Sequence, residues 1–206
     1  MTRIGATQRR ERTEQLEAMA RGLGMGFREK DEYGLIALLR DFKLFRKGGR
    51  KTISNILTKN SSLMEEKVNV FDYRYTISTG KSSRTFHQTV FFIQSKQRAM
   101  PEMLMKPEHF FHKIGAWMGM QDIDFEEHPE FSNSYLLQGE DEALIRRTMG
   151  HEAVVHFFTI EKNWSLESIG FFMILYQERK LIAPGHLKTL YGKGMDLYGH
   201  LKTEEW

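Results

Sequence analysis

Residues 68–78 alternate large aromatic side chains with smaller or polar ones, and this period of two restricts the possible folds more than any other feature of the chain. A β-strand directs successive side chains to opposite faces of its sheet. Phe71, Tyr73 and Tyr75 would therefore share one face, where aromatic residues at this density pack across strands. The opposite face would carry Val70, Asp72, Arg74 and Thr76. The pattern predicts a strand whose aromatic face forms the floor of a core.

A second strand is predicted over residues 85–94, where apolar residues recur with a looser alternation. The polar residues 79–84 lie between the two segments and predict a six-residue turn. Two neighbouring strands joined in this way form a β-hairpin. The aromatic face of this hairpin could also bind an apolar ligand, so a small-ligand carrier stays open as one function class.

A chain of 206 residues can bury one sizeable core and needs no second domain. Apolar residues at helical spacing, with Gly and Pro at segment ends, predict further elements around the hairpin. The predicted helices are residues 7–22, residues 32–45, residues 107–118, a segment ending at Met149 and a C-terminal helix from Pro184. Shorter extended segments are predicted at residues 52–58, 103–106, 135–138, 164–169 and 171–178. These elements indicate an α+β fold with a mixed or mainly antiparallel sheet and flanking helices.

The first predicted helix has a thin apolar stripe, and its first two turns are almost entirely charged. A helix with so little apolar surface is marginal by itself unless a partner completes it. We therefore predict an N-terminal helical arm over residues 1–26, followed by a single α+β domain over residues 27–206.

The net charge is +3, but the basic residues are concentrated toward the N-terminus. Residues 1–67 hold 15 Lys and Arg against 9 Asp and Glu, whereas residues 68–206 hold 15 against 18. A helix end and a Gly-Gly loop in the basic part bring together six cations that could bind an anion or an acidic partner: Arg40, Lys43, Arg46, Lys47, Arg50 and Lys51. Nucleic-acid-binding proteins are usually more basic overall, so a protein partner or a membrane surface is favoured over nucleic acid.

The chain contains no cysteine, which excludes disulfides, thiolate metal sites and cysteine nucleophiles. The first 26 residues lack the apolar segment of a secretory signal. The most apolar run, residues 169–176, is far shorter than the roughly 20 residues that span a bilayer. These features favour a cytoplasmic protein, with a peripheral membrane location as the alternative. No cofactor is predicted, and the oligomeric state stays open.

One set of carboxylates keeps an enzymatic alternative open. Asp122 and Asp124 lie in an acidic cluster over residues 122–130, and Glu178 follows an apolar strand in the order Glu-x-Lys. Carboxylates on neighbouring strands can hold a divalent ion, and a Lys beside them can position an attacking water. This pattern predicts, as a second function class, a metal-dependent hydrolase or nuclease that uses Asp122, Asp124 and Glu178.

Several short motifs follow one another in an order that resembles an uncharacterised family of bacterial proteins. The resemblance runs over residues 50–180, and its motifs are Phe71-Asp-Tyr-Arg-Tyr, Gln88-Thr-Val, Met105-Lys-Pro-Glu108, Asp122-Ile-Asp-Phe-Glu, His128-Pro-Glu-Phe-Ser132 and Gly139-Glu-Asp-Glu142. It implies a bacterial source and a single α+β unit, and it implies no activity. Some relatives have membrane segments, but none is predicted for this chain.

The leading functional prediction is a non-enzymatic soluble interaction module that binds a protein partner or an anionic surface. Such a module would be a subunit or accessory factor of a larger assembly. The thin apolar stripe of the first helix and the basic segment 40–51 support this prediction. The sequence shows no complete set of catalytic residues, although sites that assemble only in three dimensions escape such a search.

Overall fold

A single eight-stranded sheet organises the described part of the molecule. A computed structural model describes residues 5–61, 65–97, 99–113 and 122–201. Within these ranges the strands are β1 (Gly26–Lys30), β2 (Gly49–Ser61), β3 (Glu66–Thr79), β4 (Ser82–Ser95), β5 (Met100–Pro107), β6 (Tyr135–Gly139), β7 (Ser165–Gly170) and β8 (Phe172–Tyr176). They form one sheet in the order β1-β2-β3-β4-β8-β7-β5-β6, and every neighbouring pair is antiparallel.

Helices cover both faces of this sheet. In the described part of the chain they are α1 (Ala6–Gly22), α2 (Leu35–Leu38), α3 (Lys43–Arg46), α4 (Pro129–Ser134), α5 (Glu142–Met149), α6 (Glu152–Ile160) and α7 (Leu187–Leu201), with 3-10 turns at Glu108–Lys113 and Pro184–His186. No helix within these ranges is both long and apolar enough to cross a membrane. The predicted α+β single-domain fold is confirmed, with a sheet that is antiparallel throughout the described residues.

The predicted hairpin is confirmed as β3 and β4, but its turn is shorter than expected. The ladder runs without a break from Glu66 to Thr79 and leaves Gly80 and Lys81 for the turn. Gly80 has the left-handed backbone, with φ of 55°, that a tight hairpin turn requires. The polar residues that suggested a six-residue turn instead continue the ladder at the exposed end of the hairpin.

The aromatic face of β3 lies in a core, as the alternation predicts. Tyr73 and Tyr75 are 0% and 1% exposed, and their ring centroids are 5.5 Å apart. The chain from Leu35 to Phe45 covers this face, with the Phe45 ring centroid 4.4 Å from that of Tyr73.

The single helix predicted over residues 32–45 is wrong, because this segment forms the two short helices α2 and α3. Phe42 has an extended backbone, with φ of −65° and ψ of 140°, which separates the helices and lets both Phe42 and Phe45 pack on the sheet. Carboxylates satisfy the free amides of both helices. Asp31 accepts hydrogen bonds from the first amides of α2, and Glu167 accepts them from those of α3.

The predicted helix over residues 107–118 is replaced in its described part by a 3-10 turn at Glu108–Lys113. Residues 114–118 lie outside the described residues. Helices α5 and α7 and strands β5 to β8 correspond to the elements predicted for the second half of the chain.

The opposite face of the sheet packs against α1, α6 and α7. Leu16 and Ala20 of α1 are 1% and 0% exposed and belong to this core. In its described part, the arm predicted over residues 1–26 is therefore docked on the sheet. Its predicted end also falls within β1, because Gly26 already pairs with Thr58 of β2.

Helix α7 lies close to the sheet at Gly194. A β-carbon at this position would lie 2.5 Å from the Phe91 ring of β4. At Gly192 on the same helix, nothing lies within 4 Å of the corresponding point. Glycine weakens a helix interior by about 1 kcal/mol relative to alanine, and close packing explains its presence at Gly194.

We expect Gly194→Ala to lower the free energy of unfolding by about 1–3 kcal/mol, because the added methyl group must displace Phe91 or the helix. Gly192→Ala is the matched control, and it should raise this free energy by about 0.5–1 kcal/mol through helix propensity. Urea denaturation measures both changes. Effects of the same sign in the two variants would contradict the close approach of α7 to β4.

Candidate functional site

An ion pair joins helix α1 to the middle of the sheet. The Arg12 guanidinium donates two hydrogen bonds of 2.7 and 2.8 Å to the Asp72 carboxylate and one of 2.9 Å to the Ile182 carbonyl oxygen. The Asp72 carboxylate also accepts from Asn55 Nδ2 at 3.0 Å and from Thr89 Oγ1 at 3.1 Å. The side chains of the pair are only 14% and 11% exposed. Bidentate pairing of this kind fixes geometry as well as charge, so it sets the direction of α1 across the strands.

A β-bulge in β2 brings Asn55 into this network. The pairing of β2 with β3 shifts between Ser54 and Leu57, and Asn55 has a left-handed backbone with φ of 52°. Asparagine tolerates this conformation better than most residues. Asn55 Oδ1 accepts a hydrogen bond of 2.9 Å from Thr13 Oγ1, so the bulge adds a second polar link between α1 and the sheet.

An open cleft with a volume of about 1000 Å³ lies beside this network, between α1 and the first strands of the sheet. Six Lys or Arg side chains and five Asp or Glu side chains line it. Four of the five acids are bound within the chain: Glu14 by Arg10, Glu17 by Arg21, Asp72 by Arg12, and Asp31 by the first amides of α2. Glu29 is the fifth.

Outside its ion pairs, the cleft lining holds four cations against two carboxylates, those of Glu29 and Asp31, so positive charge is in excess. Among the described residues, four of its cations have no carboxylate within ion-pair distance: Arg9, Lys30, Lys51 and Arg74. Arg74 donates to Thr52 Oγ1 at 3.1 Å, and His87 lies directly opposite it in the ladder between β3 and β4. Burial, followed by the positive charge of Arg74, lowers the pKa of the half-buried His87 imidazole. The cleft therefore favours an anionic ligand.

The sequence analysis missed Arg9, Arg74 and His87 as site residues. The alternation over residues 68–78 did place Arg74 on the polar face of its strand, and this was the available signal. No local pattern indicates that α1 lies over that face, because its contacts with β3 and β4 join residues far apart in sequence.

The six basic residues predicted to bind an anion are divided between the two faces of the sheet. Lys51 lines the cleft, whereas Lys47 lies on the aromatic side, 2.8 Å from Glu178 Oε1. The other four are exposed or half-buried: Arg40, Lys43, Arg46 and Arg50. Two of these arginines flank Asp41 at 3.9 and 3.7 Å.

Glu178 lies between two lysines in a buried cluster. Its Oε1 accepts hydrogen bonds of 2.5 Å from Lys106 Nζ and 2.8 Å from Lys47 Nζ. Burial raises the pKa of the Glu178 carboxyl, but the charges of Lys106 and Lys47 outweigh it and lower this pKa to about 2. Burial, followed by the charge of Lys106, lowers the pKa of Lys47 to about 8. These groups bind one another, so the cluster holds the chain after α3 against β5 and the end of β8.

Of the three residues predicted as metal ligands, Asp122 and Glu178 bind other groups of the chain through their carboxylates, and Asp124 does so through its backbone. Glu178 is engaged by two lysines. Asp122 Oδ1 accepts from the Leu137 amide at 2.8 Å, and the Asp124 carbonyl oxygen accepts from Arg146 at 2.6 Å. No group of three or more His, Asp or Glu side chains in the described ranges could hold a metal ion.

Comparisons with known proteins identify the fold. No family model matches the chain, and no curated protein matches it in sequence. Among solved structures, the crystal structure of the mycobacterial trehalose monomycolate transport factor A, TtfA, is similar, with a TM-score of 0.62. The match covers 93% of this chain and 92% of that chain at 11% sequence identity. The two proteins share a fold.

The Arg12–Asp72 pair provides a direct test of how α1 is held. We expect Arg12→Gln to lower the free energy of unfolding by about 3–5 kcal/mol, because Asp72 would stay buried without its counter-ion. Arg10→Gln is the matched control on the same helix. Arg10 pairs with Glu14 at the surface, so its loss should cost less than about 1 kcal/mol.

Urea denaturation gives these two values, and hydrogen exchange of the α1 amides shows whether the loss is confined to the helix. If Arg12→Gln costs no more than Arg10→Gln by both measurements, the ion pair does not position α1.

The buried cluster predicts a specific acid sensitivity. The pKa of Glu178 in the folded chain, about 2, lies below its usual value of 4.5. The carboxylate therefore stabilises the fold above pH 4.5, and this contribution is lost as the pH falls toward about 2. Glu178→Gln should be less stable than the unmodified chain at neutral pH, and the difference should shrink between these two pH values.

Urea midpoints measured across this range test the prediction. Glu65→Gln serves as the control, since Glu65 pairs with Lys96 at the surface and its removal should have little effect at any pH. If Glu178→Gln does not fold, NMR titration of the Glu178 carboxyl carbon in the unmodified chain replaces the comparison. A pKa near 4.5 would contradict the cluster.

Proposed function

We propose that this protein is a non-enzymatic accessory module that binds an acidic segment of a partner protein in the cleft beside α1. The observation that supports the proposal is the charge surplus of the cleft. Arg9, Lys30, Lys51 and Arg74 line it without carboxylate partners among the described residues, while four of its five acids are bound within the chain. An acidic ligand would supply the missing counter-charges.

A peptide segment suits this site better than a membrane does. The cations line the walls of a cleft between a helix and a sheet. An extended or helical segment can enter such a cleft, whereas the flat surface of an anionic bilayer attracts basic groups that project from a protein. Nucleic acid fits less well, because Glu29 and the paired acids would face its continuous phosphate backbone.

The fold comparison gives secondary support. The similar crystal structure is that of a mycobacterial transport factor. At 11% identity the similarity itself concerns the fold, so an accessory role in a larger assembly is part of our proposal for this chain. An apolar-ligand carrier would use the aromatic face of β3, but α2 and α3 already fill that face.

The proposal is tested by charge reversal at the cleft. The double variant Arg9→Glu with Arg74→Glu should bind a fluorescein-labelled oligo-glutamate peptide about tenfold more weakly than the unmodified chain, a loss of about 1.4 kcal/mol. The control is Lys81→Glu with Arg84→Glu, which reverses two exposed cations at the tip of the hairpin. Fluorescence anisotropy gives the affinities, and added NaCl should weaken binding by the unmodified chain.

Three outcomes separate the alternatives. Equal losses in the cleft and control variants would mean that peptide binding reflects net charge and would refute the cleft. Reversal of Arg46 and Arg50 tests the basic segment predicted from sequence, and a larger loss there would move the site to that segment. Binding to phosphatidylglycerol vesicles but not to the peptide would favour a membrane surface over a protein partner.

A further inference from the structure

Three basic side chains from three different elements lie together in the cleft. His87 of β4 is directly opposite Arg74 of β3 in the ladder, and both line the cleft with Arg9 of α1. Arg74 also donates a hydrogen bond to Thr52 Oγ1, and the charges of Arg74 and Arg9 both act on the His87 imidazole. These three side chains therefore lie near one another in the lining.

Positive groups outnumber negative groups among the charges that act on His87. Helix α1 contributes Arg9 and Arg12, and β3 contributes Arg74 and Asp72. Arg12 and Asp72 neutralise each other in their bidentate pair. Strand β2 adds Lys51 to the same lining, and the exposed Lys180 lies on the segment whose carbonyl oxygen accepts from the Thr89 amide. Of the charges that act directly on His87, the two left unmatched are those of Arg9 and Arg74, both positive, while the carboxylates of Glu29 and Asp31 lie elsewhere in the same lining.

We infer that Arg9, Arg74 and His87 form a subsite for a phosphoryl group, carried by a phosphorylated side chain of the acidic partner segment. This inference rests on the proposed function of the cleft. Arginine guanidinium groups match phosphate oxygens in bidentate geometry. A phosphoryl group presents three acceptor oxygens and nearly two negative charges at neutral pH, which suits a lining that carries two guanidinium groups and an imidazole.

Anion binding at this subsite is coupled to a proton. Burial, followed by the positive charge of Arg74, lowers the pKa of His87 in the free protein and favours its neutral imidazole. A bound dianion places negative charge beside the ring and raises this pKa. The complex therefore binds more protons than the free protein does, and the affinity for the anion rises as the pH falls.

Sulfate isolates this effect, because it stays a dianion across the pH range in which phosphate itself titrates. In the unmodified chain, NMR of the His87 ring should show its pKa rising by about 1 or more when sulfate replaces chloride at equal ionic strength. Sulfate affinity should increase up to about tenfold for each unit decrease in pH between the free and bound pKa values of His87.

Matched variants assign the effect to the subsite. His87→Gln should bind sulfate more weakly and lose most of the pH dependence, and Arg74→Gln should weaken binding while keeping some of it. His186→Gln changes an exposed histidine outside the cleft and should leave both properties unchanged. Thermal unfolding of each variant verifies that it is folded.

Peptides then identify the source of the phosphoryl group. An oligo-glutamate peptide with one central phosphoserine should bind about tenfold more tightly than the same peptide with serine, as expected for added charge-assisted hydrogen bonds. Phosphatidic acid vesicles form the comparison arm, and preference for them over the phosphopeptide would overturn the assignment to a partner segment.

The failure of this inference is distinguishable from failure of the proposed function. If oligo-glutamate binds at the cleft but sulfate leaves the His87 pKa unchanged and phosphoserine adds no affinity, the phosphoryl subsite is refuted and the acidic-segment proposal stands. If neither the peptides nor sulfate bind, both are refuted.

Discussion

Helix α1 reaches the sheet through few apolar contacts, so its position depends on the ion pair between Arg12 and Asp72. Leu16 and Ala20 are its fully buried apolar residues. A pair of charges taken out of water contributes little net stability, but a broken pair is costly. The bidentate geometry and the hydrogen bond to Asn55 therefore mainly fix the orientation of α1. These contacts hold α1 beside the strands, and the cleft lies between them.

The two faces of the sheet use buried charge for different purposes. On the aromatic side, Glu178 satisfies Lys47 and Lys106, and Glu167 satisfies the first amides of α3. The charges there hold covering segments in place. On the side of α1, the buried pair is also satisfied, but the cations around it are not matched. This unmatched charge supports the proposed binding of an acidic partner segment in the cleft.

Local patterns predicted much of the fold, and long-range polar contacts account for what they missed. The alternation of Tyr73 and Tyr75 depends on neighbouring residues alone, and it predicted the central hairpin and its buried face. The partners Arg12 and Asp72 are 60 residues apart, and Lys47 and Glu178 are 131 apart. Hydrophobic periodicity reflects only neighbouring residues, so it indicates neither of these contacts. The basic segment 40–51 therefore looked like one surface in the sequence, although its Lys47 and Lys51 lie on opposite sides of the sheet.

Asp122, one of the acidic residues that suggested a metal site, has a structural role at one edge of the sheet. An uncovered edge strand exposes unpaired amides and carbonyls, which favours unwanted association. At β6, the Asp122 carboxylate accepts from the Leu137 amide, and the Ile123 amide donates to the Leu137 carbonyl oxygen, so this edge is covered. At the other edge, β1 is short and ends in charged residues, which discourages pairing by a different means. The two edge strands of the described sheet therefore discourage strand addition by different means.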